Sequence, residues 1–236
     1  MSDPPALLVL DLDGTLVDTA ADLVATLNAV LKLDDVPALS IAQALPLVGA
    51  GSRALVTRAY AAAGRTLTPE RLDALFLAFL RHYEEHIADA SALYPGVVDA
   101  LDRFAAAGWI LAVCTNKIER ASIKLLSALG VADRFRAICG QDTFKAGDLP
   151  ISKPDPQALL LTIAKAGGDR RRAVMVGDSR TDVETARSAG VPIVAVDFGY
   201  ADAPIRALSP DRVISRFSDL WDAVASLPAV RQAGLA

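Results

Sequence analysis

The side chains that could do chemistry stand in four short polar clusters, three of which directly follow an apolar run. The clusters are residues 11–15 (DLDGT), 115–116 (TN), 152–154 (SKP) and 177–182 (GDSRTD). If they meet, Asp11, Asp13 and Asp178 bring several carboxylates together, and like charges that close cannot all stay ionised unless a cation lies among them. Mg²⁺ suits oxygen ligands and usually binds one or two carboxylates together with substrate phosphate. The surplus of acid therefore predicts both a metal ion and a phosphate group.

Alternating strand and helix patterns would bring these clusters to one edge. Nearly continuous apolar runs, typical of strands covered on both faces, occupy residues 6–10, 109–114, 172–176 and 192–196. Helical patterns follow at residues 97–107, 118–129, 156–166 and 182–189. This order predicts an α/β fold with a doubly wound parallel sheet. In such sheets ligands bind beyond the carboxyl ends of the strands, where the polar clusters stand.

One long segment breaks the alternation. Residues 19–90 contain no strand pattern and carry apolar stripes at helical spacing, which predicts a small all-helical cap domain inserted after the first strand. The remaining segments, residues 1–18 and 91–236, form the predicted α/β core. The two crossings, near residues 17–19 and 91–95, are expected to act as hinges that open and close the cap over the sheet edge.

The four clusters, in this order, resemble the motifs of the haloacid dehalogenase superfamily over residues 8–197. The resemblance implies a Rossmann-like core and makes the helical insertion similar to that superfamily's first type of cap. Residues 93–97 (LYPGV), 114–117 (CTNK), 176–182 (VGDSRTD) and 198–200 (FGY) are similar to the subfamily of bacterial phosphoglycolate phosphatases. The resemblance implies that the chain is a Mg²⁺-dependent phosphomonoester hydrolase acting on a small phosphorylated metabolite, and 2-phosphoglycolate is the substrate that we expect first.

The resemblance also implies a role for each matching residue. Asp11 would attack phosphorus and become an aspartyl phosphate, and Asp13 would act as the general acid and base. Thr115 and Lys153 would hold the phosphoryl oxygens. Mg²⁺ would be bound by the carboxylates of Asp11 and Asp178 and by the backbone carbonyl of Asp13.

Further residues have two readings each. Asn116 either positions substrate or caps a helix, and Asp182 either steadies the metal ligands from behind or is only a cap. Residues 49–54 fit the dinucleotide fingerprint G-x-G-x-x-A, but that site needs a preceding strand, and none is indicated. We expect instead a cap loop that opens a helix, in which the backbone at Gly51 and the side chain of Arg53 meet an anionic substrate.

Three other patterns have structural explanations. Residues 82–86 (HYEEH) fit the H-x-x-E-H zinc motif, but both histidines flank an apolar helical stripe and the chain has no third histidine. Residues 170–172 (RRR) are expected in a solvated loop before a strand. Cys114 and Cys139 are too few for a disulfide framework or a four-cysteine zinc site, and we expect them in the core.

Composition narrows the function classes. The chain has 236 residues with 24 Lys+Arg and 28 Asp+Glu, and its net charge of −4 argues against a nucleic-acid partner. No apolar run approaches the roughly 18 residues of a membrane helix, and the N-terminus lacks the basic start of a signal peptide. We therefore expect a cytoplasmic monomer or homodimer. Three alternatives to the expected hydrolysis of 2-phosphoglycolate stay open. They are a phosphatase for a sugar phosphate or pyrophosphate, a phosphomutase like β-phosphoglucomutase, and a non-catalytic phospho-receiver.

Overall fold

The computed structural model of the chain describes residues 5–200, 204–228 and 230. Residues 1–4, where the absence of a signal peptide was expected, and residues 231–236, at the end of the predicted core, lie outside the described residues. The strands are β1 (Leu7–Leu10), β2 (Val17–Asp18), β3 (Ala92–Leu93), β4 (Ile110–Cys114), β5 (Ala137–Cys139), β6 (Lys145–Ala146), β7 (Leu149–Pro150), β8 (Ala173–Gly177), β9 (Ile193–Val196) and β10 (Arg212–Ile214). The α-helices are α1 (Ala20–Leu31), α2 (Ile41–Ala44), α3 (Ser52–Ala62), α4 (Pro69–Glu85), α5 (Val97–Ala106), α6 (Glu119–Ala128), α7 (Pro156–Lys165), α8 (Arg180–Ala189) and α9 (Leu220–Ala225).

Six strands form one parallel sheet in the order β10-β9-β8-β1-β4-β5. The central strand β1 buries both faces: Leu8 and Leu10 join the core that holds α5, α6 and α9, whereas Leu7 and Val9 join the core that holds α7 and α8. Helices therefore cover both sides of the sheet, and the predicted α/β doubly wound fold is confirmed. Since β1 pairs with both β4 and β8 in parallel, the loops that follow these three strands open on the same edge.

The four predicted strands all appear within one residue of their expected bounds. The two edge strands, β5 and β10, were not predicted, because a run of three residues is too short to show a periodic pattern. Cys114 and Cys139 lie opposite each other in the β4–β5 register, and both thiols are free and buried, as expected of core residues. Residues 170–172 form one 3₁₀ turn before β8.

Residues 20–85 fold into α1–α4 and lie between β2 and β3, which pair antiparallel. This two-stranded ribbon, absent from the sequence expectations, occupies the two predicted crossings. The buried carboxylate of Asp22 also joins the ends of the segment, since its Oδ2 accepts hydrogen bonds from the backbone N–H (2.8 Å) and the hydroxyl (2.6 Å) of Ser91. Both ends of the helical segment therefore leave the core at one place.

The histidines of the zinc motif contact polar side chains, and the dinucleotide fingerprint lacks the strand that it requires. His82 Nδ1 lies 3.1 Å from the hydroxyl of Thr26, and His86 Nδ1 lies 2.7 Å from a carboxylate oxygen of Asp89. Residues 41–47 are helical, so the strand required by the dinucleotide fingerprint is replaced by α2 and a 3₁₀ turn. Within the part of the chain that the structure describes, no helix is both long and apolar enough to span a bilayer.

Candidate active site

Three buried carboxylates converge at the carboxyl edge of the sheet. Asp11 directly follows β1, Asp178 directly follows β8, and Asp182 lies in the first turn of α8. One carboxylate oxygen from each lies within 4.8 Å of the others. The parallel pairing of β1 with β8 causes this meeting, because it places the residues after both strands side by side.

Lys153 supplies the positive charge of this cluster. Its Nζ lies 2.6 Å from Oδ1 of Asp182 and 2.9 Å from Oδ1 of Asp11, and all three side chains are buried. Burial alone lowers the pKa of Lys153, but the neighbouring carboxylates of Asp11 and Asp182 outweigh burial and raise that pKa above its ordinary value. The ammonium group therefore stays charged and contacts both carboxylates.

One lysine does not balance three carboxylates. Burial, followed by the charge of Asp182, raises the pKa of Asp11 to about 7. Burial and the charges of Asp182 and Asp11 likewise raise the pKa of Asp178 well above its ordinary value. Oδ1 of Asp11 is buried and, apart from its ion contact with Lys153, has no hydrogen-bond donor among the described residues. This all-oxygen, electron-rich arrangement fits a hard divalent cation such as Mg²⁺.

Asp178 is oriented by two hydrogen bonds and by a close glycine. Its Oδ1 accepts from the hydroxyl of Thr15 (3.1 Å), and its Oδ2 accepts from the backbone N–H of Tyr200 (2.6 Å). Gly14 has φ +80°, and a Cβ at this position would lie 2.4 Å from Oδ2 of Asp178. Only glycine therefore permits this turn and this close approach.

Asp13 lies beside the cluster and is held by different partners. Its Oδ1 accepts a hydrogen bond from the hydroxyl of Thr19 (2.7 Å), at the start of α1. Lys117 Nζ donates to both of its oxygens, at 2.8 and 2.9 Å, and also lies 4.5 Å from the centre of the Tyr83 ring. The sequence expectations missed Lys117 as a functional residue, although it directly follows the Thr115-Asn116 cluster.

Thr115 and Asn116 lie against the same edge. The hydroxyl of Thr115 accepts a hydrogen bond from the backbone N–H of Lys117 (3.2 Å). Asn116 Nδ2 donates to the carbonyl of Lys153 (3.1 Å) and to that of Gly49 (3.4 Å), whereas its buried Oδ1 has no donor among the described residues. The capping alternative for Asn116 is not found, because α6 begins after Ile118, which makes no side-chain cap.

Asp182 forms the helix cap and also contacts Lys153, and its role behind the metal ligands stays a prediction. Its Oδ2 accepts from the backbone N–H (3.0 Å) and the hydroxyl (2.6 Å) of Ser179, which completes a capping box at the start of α8. Its Oδ1 accepts from Lys153. The helix cap thus fixes the carboxylate that positions the lysine.

A cavity of about 190 Å³ opens between this edge and the helical segment. Its volume is below the roughly 300–1,000 Å³ of pockets for drug-sized ligands, so it suits a small substrate. Gly51 reaches its wall with φ +85°, and a Cβ there would meet the backbone oxygen of Asn116 at 3.1 Å. Its lining includes, from the site and from the helical segment, Asp11, Asp13, Thr115, Asn116, Lys117, Asp178, Tyr200, Leu23, Val48, Gly51, Arg58, Phe79 and Tyr83.

The structure does not bring Arg53 to this pocket. Arg53 lies near the start of α3, where its guanidinium pairs with Asp73 at 2.5 Å and lies 4.6 Å from the centre of the Phe76 ring. Both partners belong to α4, so packing between the two helices draws this side chain away from the substrate side. Arg58 of the same helix lines the pocket instead, which the local sequence pattern did not indicate.

Comparisons with known proteins agree with this geometry. The family model of haloacid dehalogenase-like hydrolases matches residues 8–196. The chain is 49% identical over 220 residues to a phosphoglycolate phosphatase of Mesorhizobium japonicum (93% of this chain, 94% of that protein). It is 44% identical over 222 residues to one of Caulobacter vibrioides (94% and 92%). A crystal structure of a predicted phosphoglycolate phosphatase from Haemophilus somnus superposes with a TM-score of 0.84 at 32% identity (92% and 97%).

The family model covers the chain from β1 to β9, and the three buried carboxylates and Lys153 lie within the matched residues. The chain therefore belongs to the haloacid dehalogenase-like hydrolase family and is a phosphoric monoester hydrolase.

Proposed function

We propose that this chain hydrolyses 2-phosphoglycolate to glycolate and inorganic phosphate in a Mg²⁺-dependent reaction that passes through an aspartyl phosphate on Asp11. The observation that carries the proposal is the placement of a buried Asp11 carboxylate between Lys153 and Asp178 at the opening of a small cavity. The names of the relatives described above support the choice of substrate. The cavity volume supports a substrate of this size.

In the first step a carboxylate oxygen of Asp11 attacks phosphorus and the bond to the glycolate oxygen breaks. Asp13, which shares the cavity wall, donates a proton to that leaving oxygen. In the second step Asp13 takes a proton from a water molecule, the water oxygen attacks the phosphoryl group, and inorganic phosphate leaves. The Asp11 carboxylate is then restored, so the reaction consumes one water for each phosphoester.

The residues around Asp11 offset the charge of the phosphoryl group. Mg²⁺ would be bound by the carboxylates of Asp11 and Asp178 and by the carbonyl of Asp13, and it would supply positive charge that makes attack by an anion on an anion feasible. Lys153, held by Asp182, contributes a fixed ammonium group. Thr115 offers a hydroxyl as a donor to a phosphoryl oxygen.

Asn116 offers polar atoms between Lys153 and the loop of the helical segment. Its amide nitrogen contacts the carbonyls of Lys153 and Gly49, and its Oδ1 has no donor among the described residues. This side chain therefore contacts the loop that contains Gly51 and lies next to Lys153. Gly51 and Ser52, at the start of α3, line the same wall, and the N-terminal end of a helix favours negative charge.

Residues 19–90 form the cap domain of this proposal, and residues 1–18 and 91–236 form its core. The β2–β3 ribbon is the hinge, and the cavity between the two parts is the site that closes. Closure would exclude bulk water from the phosphoryl group. The expected cytoplasmic setting and the monomeric or homodimeric state remain predictions.

The test is a phosphate-release assay on purified protein with 2-phosphoglycolate, a sugar phosphate and pyrophosphate. Each is measured with Mg²⁺ and with excess EDTA, and Asp11→Asn serves as the blank. We expect release from 2-phosphoglycolate to exceed the others, to need Mg²⁺ and to vanish in Asp11→Asn, which should still give the circular dichroism of the folded protein. Turnover by that variant near the normal rate would refute the nucleophile.

Three outcomes would identify the alternatives. Accumulation of an isomerised sugar phosphate without inorganic phosphate would indicate a phosphomutase. A long-lived aspartyl phosphate without Mg²⁺-dependent turnover would indicate a phospho-receiver. Preference for a sugar phosphate or for pyrophosphate would retain the phosphatase chemistry and change the substrate.

A further inference from the structure

The lining of the cavity includes cationic side chains that the proposed bond-breaking steps do not use. Three cationic residues line it: Arg58, Lys117 and Arg180. Lys117 is paired with Asp13, whereas Arg58 and Arg180 form no ion pair with an acidic side chain in the described part of the chain. Arg180 begins α8, two residues after Asp178, and so belongs to the metal side of the site. Arg58 comes from α3, in the helical segment on the opposite wall.

Arg58 is held in place by the backbone. Its guanidinium donates one hydrogen bond to the carbonyl of Leu47 (3.1 Å), and the neighbouring residues Pro46 and Val48 line the same cavity. A guanidinium has five N–H donors in a rigid plane, so this bond leaves donors for a second acceptor. A carboxylate is the acceptor whose geometry matches that plane, with two parallel hydrogen bonds.

Apart from Arg58 and the backbone at the start of α3, most of the helical wall is apolar, and among the described lining residues it offers no second cation for a negative charge. It contributes Leu23, Leu55, Phe79 and Leu80. Burying a carboxylate against such residues without a cationic partner is costly, because the ion loses its hydration. A substrate with an anionic leaving group therefore needs a cation from this side, and Arg58 is the one that the helical segment supplies to the lining.

We propose that Arg58 binds the carboxylate of the substrate's leaving group and so sets the preference of this enzyme for a phosphoester that carries an acid. The inference rests on the proposed function, since it requires a substrate with two anionic ends. Arg58 acts in binding and selectivity, and Asp11 and Asp13 carry the bond-breaking steps.

Arg53 provides a matched control on the same helix. Both are exposed arginines of α3, but the guanidinium of Arg53 is paired with Asp73 outside the cavity lining. The experiment compares Arg58→Gln with Arg53→Gln, each removing one positive charge. Substrates are 2-phosphoglycolate and two esters without a carboxylate, ethyl phosphate and phenyl phosphate. The value of kcat/KM is measured from phosphate release in the presence of Mg²⁺.

We expect Arg58→Gln to lower kcat/KM for 2-phosphoglycolate by about 100-fold, mainly through KM, and to change it by less than about threefold for the two esters without a carboxylate. Arg58→Lys should recover part of the loss, and Arg53→Gln should change kcat/KM for every ester by less than about twofold. Retained turnover of phenyl phosphate shows that the Arg58 variants are folded.

Equal losses of kcat/KM on esters with and without a carboxylate would overturn the role of Arg58. So would a carboxylate-specific loss that appears in Arg180→Gln and not in Arg58→Gln. A wild-type protein that hydrolyses phenyl phosphate but not 2-phosphoglycolate would instead overturn the proposed substrate. The two failures are therefore separate observations.

Discussion

The ammonium group of Lys117 lies 2.8 and 2.9 Å from the two carboxylate oxygens of Asp13, and both side chains face the substrate cavity. Lys117 is largely buried, with 7% of its side chain exposed. Burial lowers the pKa of Lys117, but the charge of Asp13 outweighs burial and raises that pKa above its ordinary value. Asp13 is therefore accompanied by a permanent positive charge in the position from which the proposed mechanism has it exchange protons.

Lys117→Met tests whether the ion pair of Lys117 with Asp13 contributes to catalysis. Without the ammonium, the Asp13 carboxylate loses two hydrogen bonds and keeps the one from Thr19, so its orientation towards the cavity is less fixed. We therefore expect kcat to fall by about 10–100-fold with little change in KM. The control is Lys145→Met, since Lys145 is exposed and lies in the β6–β7 hairpin. Steady-state phosphate release is the measurement, and an unchanged kcat in Lys117→Met would contradict the role of the pair.

Gly14→Ala should be far more damaging than a chemically identical change elsewhere. Both Gly14 (φ +80°) and Gly147 (φ +63°) have left-handed backbone, but a Cβ at Gly147 meets nothing within 4 Å. Gly147→Ala therefore measures the backbone penalty alone, about 1–2 kcal/mol by chemical denaturation. At Gly14 the methyl group must also displace Asp178, so we expect greater destabilisation and at least a 100-fold loss of activity, which is about the cost of misplacing a site group by 1 Å. Equal stability of the two variants would show that Asp178 moves freely.

Mg²⁺ should stabilise the folded protein through Asp178. A ligand at 100 times its dissociation constant adds about 2.7 kcal/mol, and in a chain of this size that raises the midpoint of thermal unfolding by about 5–10 °C. Differential scanning fluorimetry with Mg²⁺ and with EDTA measures this shift. Asp178→Asn should abolish it, whereas Asp148→Asn, a change in the exposed β6–β7 turn, should not. A shift that persists in Asp178→Asn would place the ion elsewhere.

The ionised carboxylate of Asp34 should stabilise the helical segment against unfolding, and this stabilisation should depend on pH. Its carboxylate accepts hydrogen bonds from Nε of Arg71 (3.1 Å) and from the hydroxyl of Tyr60 (2.8 Å), and the Arg71 contact lowers the pKa of Asp34 below its ordinary value of 3.8. A lowered folded-state pKa means that the contribution is complete above pH 3.8 and is lost as the pH falls through the folded-state pKa. Asp34→Asn should therefore lower the unfolding midpoint by about 2–4 °C at pH 7.

The same difference should shrink towards zero as the pH falls below the folded-state pKa of Asp34, because the wild-type carboxylate is then neutral as well. Thermal unfolding followed by circular dichroism between pH 3 and pH 7 measures both variants. A gap that is constant across this range would show that the stabilisation is independent of the charge of Asp34.

The parts of the molecule that could be predicted from sequence are those in which one residue type is physically required. Buried parallel strands need continuous apolar runs, so β1, β4, β8 and β9 were found, and the polar residues after β1, β4 and β8 then shared an edge by topology alone. The β2–β3 ribbon could not be predicted, because two-residue strands carry no periodicity and their pairing joins positions 17 and 93. The pairing of these two strands depends on the tertiary fold and leaves no local signal in the sequence.

Side-chain direction was the other limit. Arg53 and Arg58 lie on one helix, and their distance in sequence does not say which of them packs against α4. The contact of Arg53 with Asp73 and Phe76 depends on how α3 crosses α4, which is a tertiary property. Lys117 was missed for a similar reason, since its partner Asp13 is 104 positions away along the chain.

The register of Val17 opposite Leu93 means that the helical segment departs from the sheet and returns to it at neighbouring positions. Its length and sequence can therefore change without altering the strands that Asp11, Thr115 and Asp178 directly follow. Under the proposed function, bond-breaking chemistry and substrate choice lie on parts of the polypeptide that are free to diverge at different rates. One scaffold of this kind can keep its reaction constant while a lineage exchanges the molecule on which it acts.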